Sequence, residues 1–112
     1  MQNLIAQLRR FTEERDWKQF HSPKNLAMAL SVEVAEIVEH FQWFTEDQSR
    51  WFESEKLEKL KDEIGDVMIY FMNLVDKFGI DLIRVVEEKL EKNKLKYPAD
   101  RVKGKSWKYT DY

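Results

Sequence analysis

The chain has 112 residues, 43% hydrophobic and 13% aromatic, enough for one compact domain with a buried core and unlike a disordered composition. Its 19 basic and 21 acidic residues leave a net charge of −2, which removes the basic surface that duplex nucleic acid requires, and the lack of cysteine excludes disulfides and thiolate metal sites. No apolar run is long enough to span a membrane and no signal-peptide pattern opens the chain, so a cytoplasmic protein is expected.

A first helix is predicted over about residues 2–17, where Leu4, Ile5, Leu8 and Phe11 recur at helical spacing. Ser22 then offers an N-cap and Pro23 a first helical residue. The second helix runs to about residue 44 with Leu26, Leu30, Val34, Ile37 and Phe41 as its apolar stripe. A polar connection carrying Trp51 and Phe52 leads to a third helix over about residues 55–77, with Leu60, Val67, Phe71, Leu74 and Phe78 on one side. Gly79 suits a C-terminal cap and Asp81 an N-cap for a fourth helix carrying Leu82, Val85, Val86 and Leu90. Pro98 ends that helix, and the basic, aromatic remainder reads as irregular. No linker divides the chain, so a single domain over residues 1–112 is expected.

Shifting the second helix by 30 positions lays Leu30 on Leu60, Glu33 on Glu63, Ala35 on Gly65, Glu36 on Asp66, Ile37 on Val67 and Phe41 on Phe71. Residues three apart share a helix face, so Glu33 with Glu36 and Glu63 with Asp66 form two acidic pairs, each bordering an apolar stripe. If the stripes pack together, four carboxylates meet at the edge of the core. They would repel unless some protonate or a cation intervenes. Oxygen-only ligands favour a hard ion such as Mg2+, which commonly also binds substrate phosphates. Spacing alone leaves a solvated acidic face open as the other reading. A ferritin-like di-iron site is set aside, because neither His21 nor His40 follows a glutamate by three residues.

Glu33-Val-Ala-Glu36 followed by Glu63-Ile-Gly-Asp66 resembles the paired acidic motifs of the MazG-like, all-α nucleotide pyrophosphohydrolases. The segments from Trp17 through His21 to Asn25, from Glu39 to Trp43 and from Asp66 to Tyr70 are similar to the dCTP pyrophosphatase branch of that family. So are Lys89, Asn93, Lys96 and Tyr97-Pro98, and the closing Lys108-Tyr109-Thr110. The resemblance implies an all-α, four-helix bundle completed by oligomerisation, as a homodimer or homotetramer. It implies Mg-dependent cleavage between the α and β phosphates of a nucleoside triphosphate, dCTP or a modified dCTP, in nucleotide-pool cleaning. Glu33, Glu36, Glu63 and Asp66 would then be the catalytic, Mg2+-binding residues, and Trp17, His21, Trp43 and Tyr70 would line the nucleotide pocket. The alternative is a non-catalytic helical interaction or nucleotide-binding module. Two positions depart from the branch: Leu8 stands where histidine is frequent, and Lys96 where arginine is.

Each role has a physical reason. Trp17 and Trp43 offer flat faces for base stacking, or for core packing, and His21 sits at the break before Pro23, as a base or phosphate contact or as a simple turn histidine. Tyr70 falls one turn after Asp66 on the acidic face, and His40 holds the equivalent place on the second helix, as a site residue or merely an exposed one. Lys89, Asn93 and Lys96 share a helix face suited to the β and γ phosphates, or form a solvated lysine face. Arg101, Lys103 and Lys105, around Gly104, could close over the triphosphate. Val32, Val38, Met68, Ile69 and Met72 lie off the main stripes and are expected to need cover from a second copy.

Overall fold

A computed structural model of the chain describes residues 1–104. It is all-α, with no strand among the described residues. The helices are α1 (Gln2–Glu14), α2 (Pro23–Phe41), α3 (Ser54–Lys77), α4 (Leu82–Lys96) and α5 (Ala99–Val102). Two compact units share the chain, one over residues 1–79 and one from residue 80 onward.

In the first unit α2 packs along α3, and α1 packs on α3 as well. The fully covered apolar core is Leu26, Met72 and Val75, at 1%, 3% and 6% exposure. Burying each such side chain contributes about 1.5–3 kcal/mol. Met72 was expected on an uncovered face and instead lies in the core, whereas Phe78, expected on the core stripe, is 62% exposed. The α3 register against α2 and α1 decides this, and the period alone does not.

Local chemistry accounts for most helix ends. The Ser22 hydroxyl accepts from the Asn25 N–H at 3.1 Å, with Pro23 opening α2. α3 runs into Gly79, whose left-handed φ of 61° ends the helix, and the Asp81 carboxylate accepts from the Arg84 N–H at 3.2 Å to cap α4. α1 stops at Glu14, earlier than its periodicity predicts, because Asp16 adopts a left-handed φ of 52° and the Trp17 N–H returns to the Thr12 carbonyl at 3.1 Å. Aspartate is among the few residues that tolerate that conformation. A 3₁₀ turn, Lys18–Phe20, follows.

α2 likewise ends at Phe41, before the aromatic run that extends its pattern. Beyond it the Thr45 hydroxyl accepts from the Gln48 N–H at 3.2 Å, while the Gln48 side chain accepts from the Thr45 N–H at 2.9 Å, a reciprocal capping pair. This turns the connection so that Phe52 packs on Phe41 and Phe44, with ring centroids 5.1 and 5.7 Å apart, while Trp51 points to solvent at 84% exposure. Arg9 on α1 makes a two-pronged ion pair with Asp76 on α3, its Nε donating to Oδ2 at 2.8 Å and its Nη2 to Oδ1.

In the second unit, α4 carries Val85, Val86 and Leu90 about half exposed. The segment read as irregular contains the short helix α5. Lys105 and the Lys108-Tyr109-Thr110 motif lie outside the described residues.

Candidate active site

The dominant packing of α2 on α3 brings the two acidic pairs into one electrostatic neighbourhood. Glu33 and Glu63 each bury one carboxylate oxygen, Oε2, that accepts no well-aligned hydrogen bond among the described residues. His40 Nε2 lies 2.5 Å from Glu63 Oε2, an ion-pair distance without hydrogen-bond alignment. Burial first, then the hydrogen bonding and charge of Glu36, then the charges of Asp66 and Glu63, push the Glu33 carboxyl above its ordinary pKa. The helix positions explain this crowding. Glu33, Glu36 and Glu63 sit half-buried beside their apolar stripes, whereas Asp66 is exposed.

A buried anionic oxygen without a donor carries a desolvation cost that a cation would remove. The donor set is all oxygen apart from His40, which suits a hard divalent ion. In the conformation described, no three His, Asp or Glu side chains converge closely enough to hold an ion among the described residues. The acids are neighbours in charge and burial rather than a ready-made cage.

Asp66 also lines a cleft of about 240 Å³ between α1, the chain after it and α3. The cleft gathers Trp17, His21 and Tyr70 with Leu8, Phe11, Thr12, Ile69 and Asn73. Trp17 is held edge-on to Phe11, ring centroids 5.6 Å apart, and remains 44% exposed, so part of its face is open. The early end of α1 turns Trp17 back toward the helix in this way. A second cleft of about 250 Å³ shares Thr12, His21 and Asn73 with the first, and it is polar, with Arg9, Lys18, Asp76 and Lys77 around it. Burial, and secondarily the Lys77 charge, lower the His21 pKa, so its imidazole is neutral at pH 7 and can donate and accept.

Trp43 is not among the residues lining these clefts; it stands 86% exposed just beyond α2. Lys89, Asn93 and Lys96 lie on α4 in the second unit, the lysines exposed and Asn93 half-buried. Arg101 lies on α5, with Lys103 and Gly104 after it. Thr12 and Asn73 join both clefts without being among the residues expected there. The signal for Asn73 was present, since Glu63, Asp66, Tyr70 and Asn73 follow one face of α3 at three- and four-residue steps. Thr12 carried none, because its burial depends on what covers α1.

A model of the MazG-like family matches residues 28–112. dCTP pyrophosphatase 1 of Homo sapiens is 40% identical over 104 residues, covering 90% of this chain, and the Rattus norvegicus protein of the same name is also 40% identical. The chain spans 61% of the length of these curated relatives. The crystal structure of a pyrophosphatase from Archaeoglobus fulgidus superposes with a TM-score of 0.78 at 43% identity, covering 88% of this chain and 92% of that one.

Proposed function

The chain belongs to the MazG-like family, and from that premise we propose that it is a Mg-dependent nucleoside triphosphate pyrophosphohydrolase. It would cleave the α–β bond of dCTP or a modified dCTP, as the names of its relatives suggest, to give the monophosphate and pyrophosphate. One observation carries the reading: a buried Glu33 oxygen without a donor and a buried Glu63 oxygen met only by His40 share an electrostatic neighbourhood with Asp66, which lines a cleft with aromatic walls.

In this reading Glu33, Glu36, Glu63 and Asp66 hold the ion, drawn together by it. Bound there, Mg2+ would withdraw charge from the α-phosphorus and acidify a water molecule. Glu33 or Glu36, with a raised affinity for protons at Glu33, would orient that water or take its proton. Trp17 and Tyr70 would hold the base, while Leu8, Phe11 and Ile69 exclude water around it. The neutral His21, which lines both clefts, would contact the nucleotide. Lys89, Asn93 and Lys96 would, by the family resemblance, serve the β and γ phosphates.

The family match continues across both units, which supports treating residues 1–112 as one functional domain. Val32 and Val38, each more than half exposed on α2, support a homodimer or homotetramer, in which the exposed Trp43 would be available to a second copy. No described helix is long and apolar enough to cross a membrane, and a nucleotide-pool role would place the protein in the cytoplasm.

Pyrophosphate release from a panel of nucleoside triphosphates, with Mg2+ or with EDTA, tests this. Release should require Mg2+ and fall about 100-fold or more in Glu36→Gln and Glu63→Gln. Full activity in both variants, or metal-independent release, would refute it.

A further inference from the structure

We propose that Thr12 and Asn73 are a specificity-determining pair that reads the hydrogen-bonding edge of the base in the cleft beside Trp17 and Tyr70. The inference rests on the nucleotide reading above but concerns residues that reading leaves unused.

Thr12 is a buried polar side chain of the first unit, at 8% exposure, and it lines both clefts. A helical threonine commonly bonds back to a carbonyl of the preceding turn. The Thr12 hydroxyl makes no such bond and finds no other partner among the described residues. Its oxygen is also not sealed off, as those of Glu33 and Glu63 are. Its remaining accessible surface therefore faces the clefts.

Asn73 comes from the facing helix, is half-buried, lines the same two clefts and likewise has no partner for its amide. It follows Tyr70 by three residues, so the amide lies one turn along α3 from the phenol, on the same face. An amide presents a donor and an acceptor side by side, and a hydroxyl presents both at one atom. Together they match the alternating donor and acceptor groups along the edge of a nucleobase. Leu8, Phe11 and Ile69, the apolar walls of the same cleft, cannot do so.

The Arg9–Asp76 ion pair sets this arrangement. Arg9 precedes Thr12 by three residues on α1, and Asp76 follows Asn73 by three on α3. One bridge thus fixes the two helices a single turn from each polar group. Polar groups kept unpaired between pinned helices are arranged for a guest rather than for folding.

The test uses the near-isosteric Thr12→Val and Asn73→Leu, with Asn73→Asp, which keeps the acceptor and loses the donor. kcat/KM is measured for the deoxynucleoside triphosphates, and calorimetry without metal measures binding of the corresponding monophosphates. The preferred substrate should lose about 10- to 100-fold in kcat/KM while the poorest changes little, and monophosphate selectivity should fall in parallel. Asn73→Asp should change the order of preference and not only its spread. Uniform loss across all substrates, or unchanged ratios, would overturn the assignment and leave the hydrolase reading standing. Selective monophosphate binding that these variants abolish, in a protein that cleaves no triphosphate, would do the reverse. Failure of the wild type to bind any nucleotide would overturn both.

Discussion

Replacing Glu33 by glutamine separates the fold's interest from the site's. The Glu33 carboxyl is pushed up by burial and by Glu36, Asp66 and Glu63, and its Oε2 has no donor. A raised carboxylate pKa means the folded chain retains a proton that the unfolded chain has released. Stability is therefore fully present below the ordinary value of 4.5 and is lost as pH rises from there through the folded value. Within that window one proton changes stability by up to about 1.4 kcal/mol per pH unit. Glutamine cannot ionise, so the metal-free variant escapes this loss. A cation bound only by the folded state acts in the opposite direction, adding about 2.7 kcal/mol at one hundred times its Kd. At about 4–8 °C per kcal/mol for a domain the size of the 79-residue first unit, that is a rise of roughly 11–22 °C. Melting followed by circular dichroism at pH 8 should place Glu33→Gln above wild type in EDTA and below it in saturating Mg2+. If the variant melts lower in EDTA with an unchanged pH slope, or if Mg2+ raises both proteins equally, the crowded-carboxylate argument fails.

Leu26→Ala should cost about 2–5 kcal/mol in urea denaturation, since Leu26 is 1% exposed where α2 enters the core. Gly65→Ala should stabilise an isolated chain by about 0.8–1.0 kcal/mol, because a Cβ there meets nothing within 4 Å on the interior of α3. Destabilisation instead, together with a smaller particle in light scattering, would show that a second copy packs against that position. The Asp76 carboxyl is held below its ordinary value by its bond to Arg9, so its contribution is present above pH 3.8 and lost as pH falls through the lowered value. Asp76→Asn should flatten that acid limb, measured as melting temperature from pH 2 to pH 5.

The helices and their caps were legible because their causes are local. Ser22, Gly79 and Asp81 act on backbone groups within a few residues, and the 3.6-residue period places Glu33 beside Glu36 and Glu63 beside Asp66 whatever surrounds them. The link from Asp66 to Tyr70 was readable on the same grounds. What surrounds those faces was not readable. Arg9 and Asp76 are 67 positions apart, and no periodicity announces their pairing. The burial of Met72 and Thr12, the exposure of Phe78 and Trp43, and the return of Trp17 onto Phe11 all depend on helix register and on one left-handed aspartate. A helix pattern states which residues share a side, but the neighbour that covers that side is chosen by packing between distant segments. In this chain that choice alone turned a row of polar and aromatic residues into a cleft.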